Sequence, residues 1–433
     1  MTVISDLFVD RDKFLDKLVT TRLEIMEMYT DSKDDKDWVV AWSGGKDSTV
    51  TLGLVTEVIK ALPPESRKRR VRVIMSDTKV ENPILATYMR NQVDLFNRYA
   101  ERERLPMTAE IVSRPVNQSY FVLTLGRGYF LPMRNGQGRW CTGRLKIDPS
   151  NAKFNEIRPS FKVVGTRSSE STARAASIDK FRAGYKIAED ASSSDTMIFM
   201  PIVDWTVDEV WEYLRLDNLG WSSTRPVRDL YKDATGECGV SNPKGVESKA
   251  QLMEACGARF GCWLCPVITS DRSTEEMSAI YRWMEPLTEW RELQMKVYGD
   301  FKPVRPEGQS RKERSKDLRR WEAINEQVKL ITKSGYNRQG RRMKDGQGTL
   351  TVEARKYLFD ALIQTEEAVN RLREKEGLEP IELISDEEIS LIKDTWHDDE
   401  ANYPHLVSNA AGIPIHRLRD ILEEDGHGLS VRD

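Results

Sequence analysis

A six-residue segment rich in small side chains follows directly on a short apolar run, and it constrains the fold more than any other feature of the chain. The run at 37–42 predicts a buried strand, and 49–62 predicts a helix that ends before Pro63. A glycine-rich turn between strand and helix directs backbone N–H groups and the positive helix end at one point. The segment therefore predicts an anion site formed by Ser43, Gly44, Gly45, Lys46, Asp47 and Ser48. The alternative is a structural Gly-Gly turn capped by Ser48, and the spacing is not that of a Walker A motif.

Strand and helix signals alternate through the first half of the chain. A leading amphipathic helix is expected at about 7–30, with apolar positions at Phe14, Leu15, Leu18, Ile25 and Met26. Strands are predicted at 70–76, 109–112 and 161–165, with a helix at 82–104 and a short one at 208–214. This alternation predicts an α/β fold with a doubly wound, mostly parallel sheet. From about 273 onward the pattern is helical and charged.

Length and composition set the domain count and exclude some classes of protein. With 433 residues the chain has room for two or three domains, and we expect boundaries at 1–230, 231–272 and 273–433. No stretch approaches the apolar length of a membrane span, and the beginning of the chain is acidic, so we expect a cytoplasmic protein without a membrane partner. All four histidines follow residue 396, which excludes imidazole chemistry in residues 1–396.

Grouped cysteines indicate a metal or catalytic site. Cys256, Cys262 and Cys265 lie within ten residues of each other, and no histidine is near to complete a mixed site. Thiolate ligands favour zinc or an iron–sulfur cluster, and both remain open at this point. The fourth ligand is either Cys141 or Cys238, of which Cys238 is nearer in sequence. Buried, inert cysteines are the structural alternative.

A short basic segment surrounds Cys141. Arg139, Arg144 and Lys146 would repel one another unless an anion lay among them, so a phosphate-rich ligand is expected. A solvated basic face is the alternative.

These motifs resemble those of the PP-loop ATP pyrophosphatase superfamily, whose members include the phosphoadenosine-phosphosulfate (PAPS) reductases and tRNA thiolation enzymes, and the segment around Cys141 resembles a motif of the PAPS reductases. The resemblance rests on residues 43–48, on Arg139–Asp148 with Pro149, and on Val164–Arg167. It implies ATP with Mg²⁺ and cleavage between the α- and β-phosphates. It also implies roles for single residues. The implied nucleotide-binding residues beyond 43–48 are Asp77, Gly165, Arg167 and Arg174, and the implied catalytic residues are Lys46, Asp47, Arg144 and Lys146.

The resemblance also bears on the cysteines. In the cluster-bearing adenylylsulfate reductases the first ligands precede the basic segment and a Cys-x-x-Cys pair follows it. A 4Fe-4S cluster on Cys141, Cys256, Cys262 and Cys265 is the implied arrangement. Cys238, in a Gly-Glu-Cys-Gly setting, then becomes the expected catalytic sulfur carrier.

The order of motifs over residues 38–270 resembles the DndC family of DNA phosphorothioation sulfurtransferases. That resemblance implies an ATP-dependent enzyme that replaces a non-bridging oxygen of the DNA backbone with sulfur. The implied partners are DNA, a cysteine desulfurase that supplies sulfur and builds the cluster, and other Dnd phosphorothioation proteins.

Three alternative functions remain. A PAPS or adenylylsulfate reductase is disfavoured because such reductases carry a Glu-Cys-Gly-x-His element at the C-terminus, whereas this chain ends in Gly-Leu-Ser-Val-Arg-Asp. The related single-strand phosphorothioation family SspD is a second alternative. A DNA-binding adaptor with a degenerate ATP site and a structural zinc is the third.

A local surplus of positive charge agrees with a nucleic-acid partner. Residues 302–344 carry fourteen Lys or Arg against five acids, although the whole chain has a net charge of −3. We expect this part of the C-terminal region to contact the DNA backbone, with a solvated helix face as the alternative. Trp321 and Tyr336 are either core residues or stacking platforms for bases.

Overall fold

The structure is a computed structural model that describes residues 9–32, 34–132, 139–170, 179–190, 195–233, 261–268, 272–299, 311–343, 348–409 and 411–423. The chain divides into two compact units, each drawn from separate stretches of sequence. The first unit comprises Met1–Asp77, Ile84–Ser113 and Lys146–Phe260, and the second comprises Thr78–Pro83, Arg114–Leu145 and Gly261–Asp433. The contiguous boundaries expected from the sequence remain a prediction.

The first unit contains a seven-stranded sheet. Its strands are β1 (Trp38–Ala41), β2 (Val71–Ser76), β3 (Met107–Val112), β4 (Phe161–Val164), β5 (Arg182–Gly184), β6 (Ile187–Glu189) and β7 (Met197–Phe199), in the order β3-β2-β1-β4-β7-β6-β5. The pairs from β3 across to β7 are parallel, and β6 is antiparallel to both of its neighbours. The predicted mostly parallel α/β fold is confirmed. The short strands β5, β6 and β7 were not predicted.

The described residues of the first unit also form six helices, most of which bury apolar side chains at helical spacing. They are α1 (Arg11–Thr30), α2 (Lys46–Ala61), α3 (Pro83–Arg102), α4 (Asp148–Ile157), α5 (Val207–Arg215) and α6 (Arg225–Asp233). In α1 the buried face is formed by Phe14, Leu18 and Ile25, as predicted. Leu15 and Met26 are 42% and 38% exposed, so their assignment to the buried face was wrong.

The second unit is mainly helical in its described residues, which confirms the predicted helical C-terminal region. Its helices are α7 (Arg272–Ile280), α8 (Glu285–Val297), α9 (Arg311–Thr332), α10 (Val352–Lys375), α11 (Asp386–Asn402) and α12 (Arg417–Glu423). A buried ion pair joins two of them, because Arg355 of α10 and Asp399 of α11 are both fully buried and lie 2.8 Å apart. The same guanidinium donates to the carbonyl of Gly126, at the end of a π-helical turn over Val122–Gly126. No helix in the described part of the chain has the length and apolar character needed to span a membrane.

Candidate functional site

The loop at 43–48 lies where the direction of strand addition reverses in the sheet of the first unit. Strand β1 is central in the sheet, with β2 on one side and β4 on the other. The loop connects the carboxyl end of β1 to the beginning of α2. Ligands of open α/β sheets bind at such switch points. The loop therefore stands at the expected position for a nucleotide.

Both glycines of the loop lie close to surrounding side chains. Gly44 has a φ of +72°, and a Cβ there would meet the Cγ of Met89 at 3.0 Å. A Cβ on Gly45 would lie 3.3 Å from the hydroxyl of Tyr231. The positive φ favours glycine at position 44, and at position 45 a side chain would have to displace the hydroxyl of Tyr231 slightly.

Two serines close the loop on itself. The backbone N–H of Ser43 donates to the hydroxyl of Ser48 at 3.1 Å, and the two hydroxyls lie 3.0 Å apart. The hydroxyl of Ser48 also lies 3.1 Å from the carbonyl of Gly45. These bonds fix the bend that precedes α2, whose first N–H groups are free of intrahelical partners. An anion is the natural ligand of that helix end.

Two cations are held at the beginning of α2 by one carboxylate. Asp47 accepts from Nε of Arg167 at 2.6 Å through Oδ1, and its Oδ2 lies 3.2 Å from Nζ of Lys46. Lys46 is 9% exposed and Arg167 is 4% exposed. The carboxylate neutralises only one of the two charges, so a positive excess remains at the helix end.

Gly165 makes this arrangement possible. It follows β4, and a Cβ there would lie 2.7 Å from the carbonyl oxygen of Asp47 and 2.8 Å from the backbone nitrogen of Ser48. Backbone atoms cannot yield as a side chain can, so only glycine fits at this position. The predicted residues Gly165 and Arg167 are therefore in direct contact with the phosphate loop.

Two tyrosines around the loop were missed by the sequence analysis. The hydroxyl of Tyr231 lies 3.4 Å from the backbone nitrogen of Lys46, and Nζ of Lys46 lies 5.0 Å from the centre of its ring. Burial, with a smaller contribution from Tyr231, raises the pKa of Tyr88 well above its ordinary value, so its phenol stays neutral. Nothing in the sequence near 88 or 231 connects these residues to the loop.

Asp77 directly follows β2, as predicted, and is buried. Its carboxylate lies 3.5 Å from a guanidinium nitrogen of Arg90 on α3. Its backbone N–H donates to the carbonyl of Val112, which fixes its position at the carboxyl end of the sheet. Arg174, the remaining predicted nucleotide ligand, lies outside the described residues.

The basic segment after Cys141 forms a π-helical turn over Thr142–Ile147. Its two predicted catalytic cations, Arg144 and Lys146, are exposed. The guanidinium of Arg144 lies 5.4 Å from the ring centre of Tyr129, and its carbonyl accepts from Nε of Arg114 at 2.5 Å. The structure thus presents Arg144 and Lys146 to solvent, where an anionic ligand has access to them.

The Cys-x-x-Cys pair of the second unit forms a tight turn. The N–H of Cys265 donates to the carbonyl of Cys262 at 3.0 Å, and the sulfur of Cys262 lies 3.8 Å from the hydroxyl of Thr78. Both thiols are half-buried, as is Cys141. Burial raises the pKa of the Cys141 thiol, and the nearby Cys265 thiol raises it further.

The three described thiols lie near one buried phenol. Burial raises the pKa of Tyr120 well above its ordinary value, and after Tyr298 the further contributions come from Cys141, Cys265 and Cys262. Their soft donor atoms fit zinc or an iron–sulfur centre. Among the residues that the structure describes, however, no set of three or more His, Cys, Asp or Glu side chains is arranged to hold a metal ion. The predicted ligand Cys256 and the predicted sulfur carrier Cys238 both lie outside those residues.

The basic stretch predicted at 302–344 is described from 311 to 343. Exposed cations on α9 include Lys316, Arg319 and Arg320, while Trp321 is 5% exposed and belongs to the core. Other cations of the stretch are engaged within the second unit. Arg338 lies 2.7 Å from the carboxylate of Asp399, and Lys333 lies 4.5 Å from the ring centre of Tyr298. The positive surface is therefore smaller than the sequence count implies.

Structural comparison finds several solved proteins of low identity. A PAPS reductase from Candida auris, crystallised as a phosphate complex, is 14% identical, with 48% of this chain and 87% of that chain covered and a TM-score of 0.30. An FMN adenylyltransferase from Candida glabrata is 12% identical, with 53% and 64% covered and a TM-score of 0.33. The U34-tRNA thiolase NcsA from Methanococcus maripaludis, solved with its [4Fe-4S] cluster, is 14% identical, with 59% and 89% covered and a TM-score of 0.30.

Sequence comparison identifies the family of the chain. No curated protein matches the chain in sequence. The family model of the phosphoadenosine phosphosulfate reductase domain matches residues 37–268, which is more than half of the chain and includes both the phosphate loop and the Cys-x-x-Cys pair. The chain therefore belongs to the phosphoadenosine phosphosulfate reductase domain family.

Proposed function

We propose that this protein is an ATP-dependent sulfurtransferase of DNA phosphorothioation, similar to DndC. It adenylates a phosphate of the DNA backbone, releases pyrophosphate and replaces a non-bridging oxygen with sulfur. The observation that carries the proposal is the pair of cations, Lys46 and Arg167, fixed by Asp47 at the beginning of α2. Membership of the PAPS reductase domain family supports a nucleotide-binding enzyme of sulfur chemistry.

The proposed first step is nucleotide activation in the first unit. The N–H groups at the beginning of α2 bind the triphosphate of ATP with Mg²⁺, and Lys46 and Arg167 lie beside it. An oxygen of the DNA phosphate attacks the α-phosphorus, and the bond to the bridging oxygen of the β-phosphate breaks. Negative charge builds on the departing pyrophosphate, and two fixed cations stabilise that charge without reorganisation.

The second proposed step is delivery of sulfur. Cys141, Cys256, Cys262 and Cys265 would hold a 4Fe-4S cluster, which binds and supplies sulfur when it is present. Cys238 is the proposed carrier of sulfur received from a cysteine desulfurase. The terminal sulfur of a Cys238 persulfide attacks the activated phosphorus, and AMP leaves with the former phosphate oxygen. A thiol reductant then attacks the inner sulfur of Cys238, so that the S–S bond breaks, the phosphorothioate is released and a disulfide remains on Cys238 for a second thiol to reduce.

The DNA part of the proposal has its own support. The exposed cations of α9, Lys316, Arg319 and Arg320, recur at positions that share one helix face. A row of cations on one face suits the phosphate backbone of a duplex. DNA, a cysteine desulfurase and other Dnd proteins are accordingly the proposed partners.

One experiment tests the whole proposal. Cells that carry the unsubstituted chain or Lys46→Ala, together with the other phosphorothioation proteins, are compared by mass spectrometry of their DNA and by iron and sulfide analysis of the purified chain. We expect phosphorothioate only with the unsubstituted chain and equal iron in both. Phosphorothioate at the same level in the Lys46→Ala cells would refute the proposal.

A reductase of activated sulfate is the second candidate, and the family match itself favours it. The two functions differ in their products, because a reductase forms sulfite from PAPS or adenylylsulfate and a thiol. Sulfite release without DNA modification would favour the reductase. Modification limited to one strand would favour an SspD-like enzyme, and zinc in place of iron with no ATP turnover would favour a DNA-binding adaptor.

A further inference from the structure

The turn that carries Cys262 and Cys265 is held from behind by two side chains of α8. Nε of Arg291 donates to the carbonyl of Cys265 at 2.8 Å, and Nη2 donates to that of Ile268 at 2.5 Å. Nε2 of Gln294 donates to the carbonyl of Leu264 at 3.1 Å. Residues 291 and 294 are three positions apart in a helix, so both side chains point to the same side.

A buried tyrosine supports Gln294 in turn. The hydroxyl of Tyr120 donates to Oε1 of Gln294 at 2.7 Å, which fixes the orientation of the amide. Tyr120 and Gln294 are each 1% exposed. A phenol, an amide and a backbone carbonyl thus form a buried chain of hydrogen bonds that ends on the cysteine turn.

Arg291 places a buried positive charge behind the cysteine turn. It is 4% exposed, and within the described ranges of the chain its guanidinium forms no ion pair with a carboxylate. Carbonyl oxygens satisfy its N–H groups but do not neutralise it. Burial of a cation without a counter-charge is unfavourable, so an anion close to the guanidinium would stabilise the fold.

Aromatic side chains surround the cysteine turn and strengthen electrostatic interactions there. Trp263, between the two cysteines, lies 5.4 Å from the ring of Trp290 and 6.4 Å from that of Phe121. Aromatic walls exclude water and lower the local dielectric constant, which strengthens electrostatic interactions inside. Within residues 261–268, the groups able to become anionic are the thiols of Cys262 and Cys265.

We propose that Arg291 and Gln294 are positioning residues of the cysteine site, and that the charge of Arg291 balances the negative charge of a thiolate-bound metal centre on Cys262 and Cys265. Four thiolates around a divalent metal or a 4Fe-4S core leave the centre with net negative charge, so the argument holds for either metal. The inference rests on the proposed function, which assigns these thiols to such a centre. It adds two residues that do not touch the metal and that act through the backbone and the charge of the turn.

Cobalt(II) is the probe, because thiolate-to-cobalt charge transfer absorbs in the near ultraviolet whatever metal the protein holds in the cell. The full chain is freed of metal and titrated with cobalt as four proteins: unsubstituted, Arg291→Gln, Arg291→Lys and Lys296→Gln. Gln keeps a hydrogen-bond donor without charge, whereas Lys keeps the charge. Lys296 is a matched control, since it lies on α8, is 6% exposed and pairs with Glu292.

We expect Arg291→Gln to weaken cobalt binding by about 10-fold or more, as changes behind metal ligands do. Arg291→Lys and Lys296→Gln should bind within about threefold of the unsubstituted chain, because both keep a cation behind the turn. Equal affinities for Arg291→Gln and Arg291→Lys would overturn the proposed role of charge.

Two further measurements distinguish loss of metal binding from loss of folding and from the absence of a metal centre. If Arg291→Gln does not fold, as judged by thermal unfolding, Gln294→Glu replaces it; this isosteric change puts a negative charge behind the turn and should also weaken cobalt binding. Unchanged affinity in Gln294→Glu would contradict the inference. If the unsubstituted chain gives no thiolate-to-cobalt absorption, the cysteine centre of the proposed function fails, and the inference fails with it.

Discussion

The carboxylate of Asp47 accepts a 2.6 Å hydrogen bond from Arg167, although the two residues lie 120 positions apart in the chain. The bond connects the beginning of α2 to the loop after β4, which are the two elements that the family resemblance assigns to the nucleotide phosphates. The second carboxylate oxygen of Asp47 forms an ion pair with Lys46. One carboxylate therefore fixes both cations of the proposed phosphate site.

Asp47→Asn tests that arrangement. Asparagine cannot balance either cation, so Lys46 and Arg167 lose their fixed positions, and we expect pyrophosphate release from ATP to fall by about 100-fold. Asp94→Asn, at an exposed position of α3, is the control and should keep full activity. Full pyrophosphate release by Asp47→Asn would show that the carboxylate has no positioning role.

Gly165→Ala tests the close approach of two backbones. The new methyl group would lie 2.7 Å from the carbonyl oxygen of Asp47, which forces α2 or the loop after β4 to move. We expect the free energy of unfolding to fall by about 1–3 kcal/mol and ATP binding to weaken together with it. Gly184→Ala, where the nearest atom is 3.8 Å away, should change neither quantity. Calorimetry with and without ATP separates the two effects.

Strands β1 to β4 were predicted to within about two residues and helices α2 and α3 to within about three, because apolar runs bounded by Gly, Pro and Asp are local signals. Helix α4, which lies between β3 and β4, was not predicted. Strands β5, β6 and β7 have three residues each, too few for an alternating pattern to be recognised. The loop residues 43–48 were predicted from a glycine-rich turn between a strand and a helix, whereas the Gly-Thr-Arg segment was found through its resemblance to a family. The contact between Gly165 and Asp47 was not, because it is made through space.

The residues behind the cysteine turn could not be predicted from the sequence either. Arg291 is 26 positions from Cys265 along the chain, and its sequence neighbours are those of an ordinary charged helix. Tyr88 and Tyr231 are likewise brought to the phosphate loop only by folding. A single sequence gives the spacing of motifs, whereas these side chains are identified by tertiary contacts.

Asp399→Asn tests the buried ion pair of the second unit. Arg355 and Asp399 are both fully buried, so the substitution leaves a buried guanidinium without a carboxylate to neutralise it. We expect the free energy of unfolding to fall by about 3–5 kcal/mol. The neighbouring pair Lys356–Glu400 is a matched control because its side chains are 43% and 38% exposed. Glu400→Gln should cost about 1 kcal/mol or less. Denaturant unfolding measures both free energies. An equal decrease in Asp399→Asn and Glu400→Gln would show that burial does not determine the strength of these ion pairs.

Neutralisation of the exposed face of α9 tests the DNA surface. Lys316→Gln, Arg319→Gln and Arg320→Gln together should reduce the slope of log affinity against log salt concentration by about 2–3, whatever the DNA sequence. Lys36→Gln, at an exposed position of the first unit, serves as the control and should leave the slope unchanged. Fluorescence anisotropy with a short duplex at several salt concentrations gives the slope. An unchanged slope in the triple variant would place the DNA surface elsewhere.

The central claim is that the loop at 43–48 directs cleavage of ATP between its α- and β-phosphates. Chromatography of the nucleotide products, with DNA present, measures this directly for the unsubstituted chain, for Lys46→Ala and for Lys60→Ala, a control at an exposed position of the same helix. The account predicts AMP and pyrophosphate from the unsubstituted chain and from Lys60→Ala, and neither product from Lys46→Ala. Formation of ADP and phosphate, or AMP production that survives in Lys46→Ala, would contradict it.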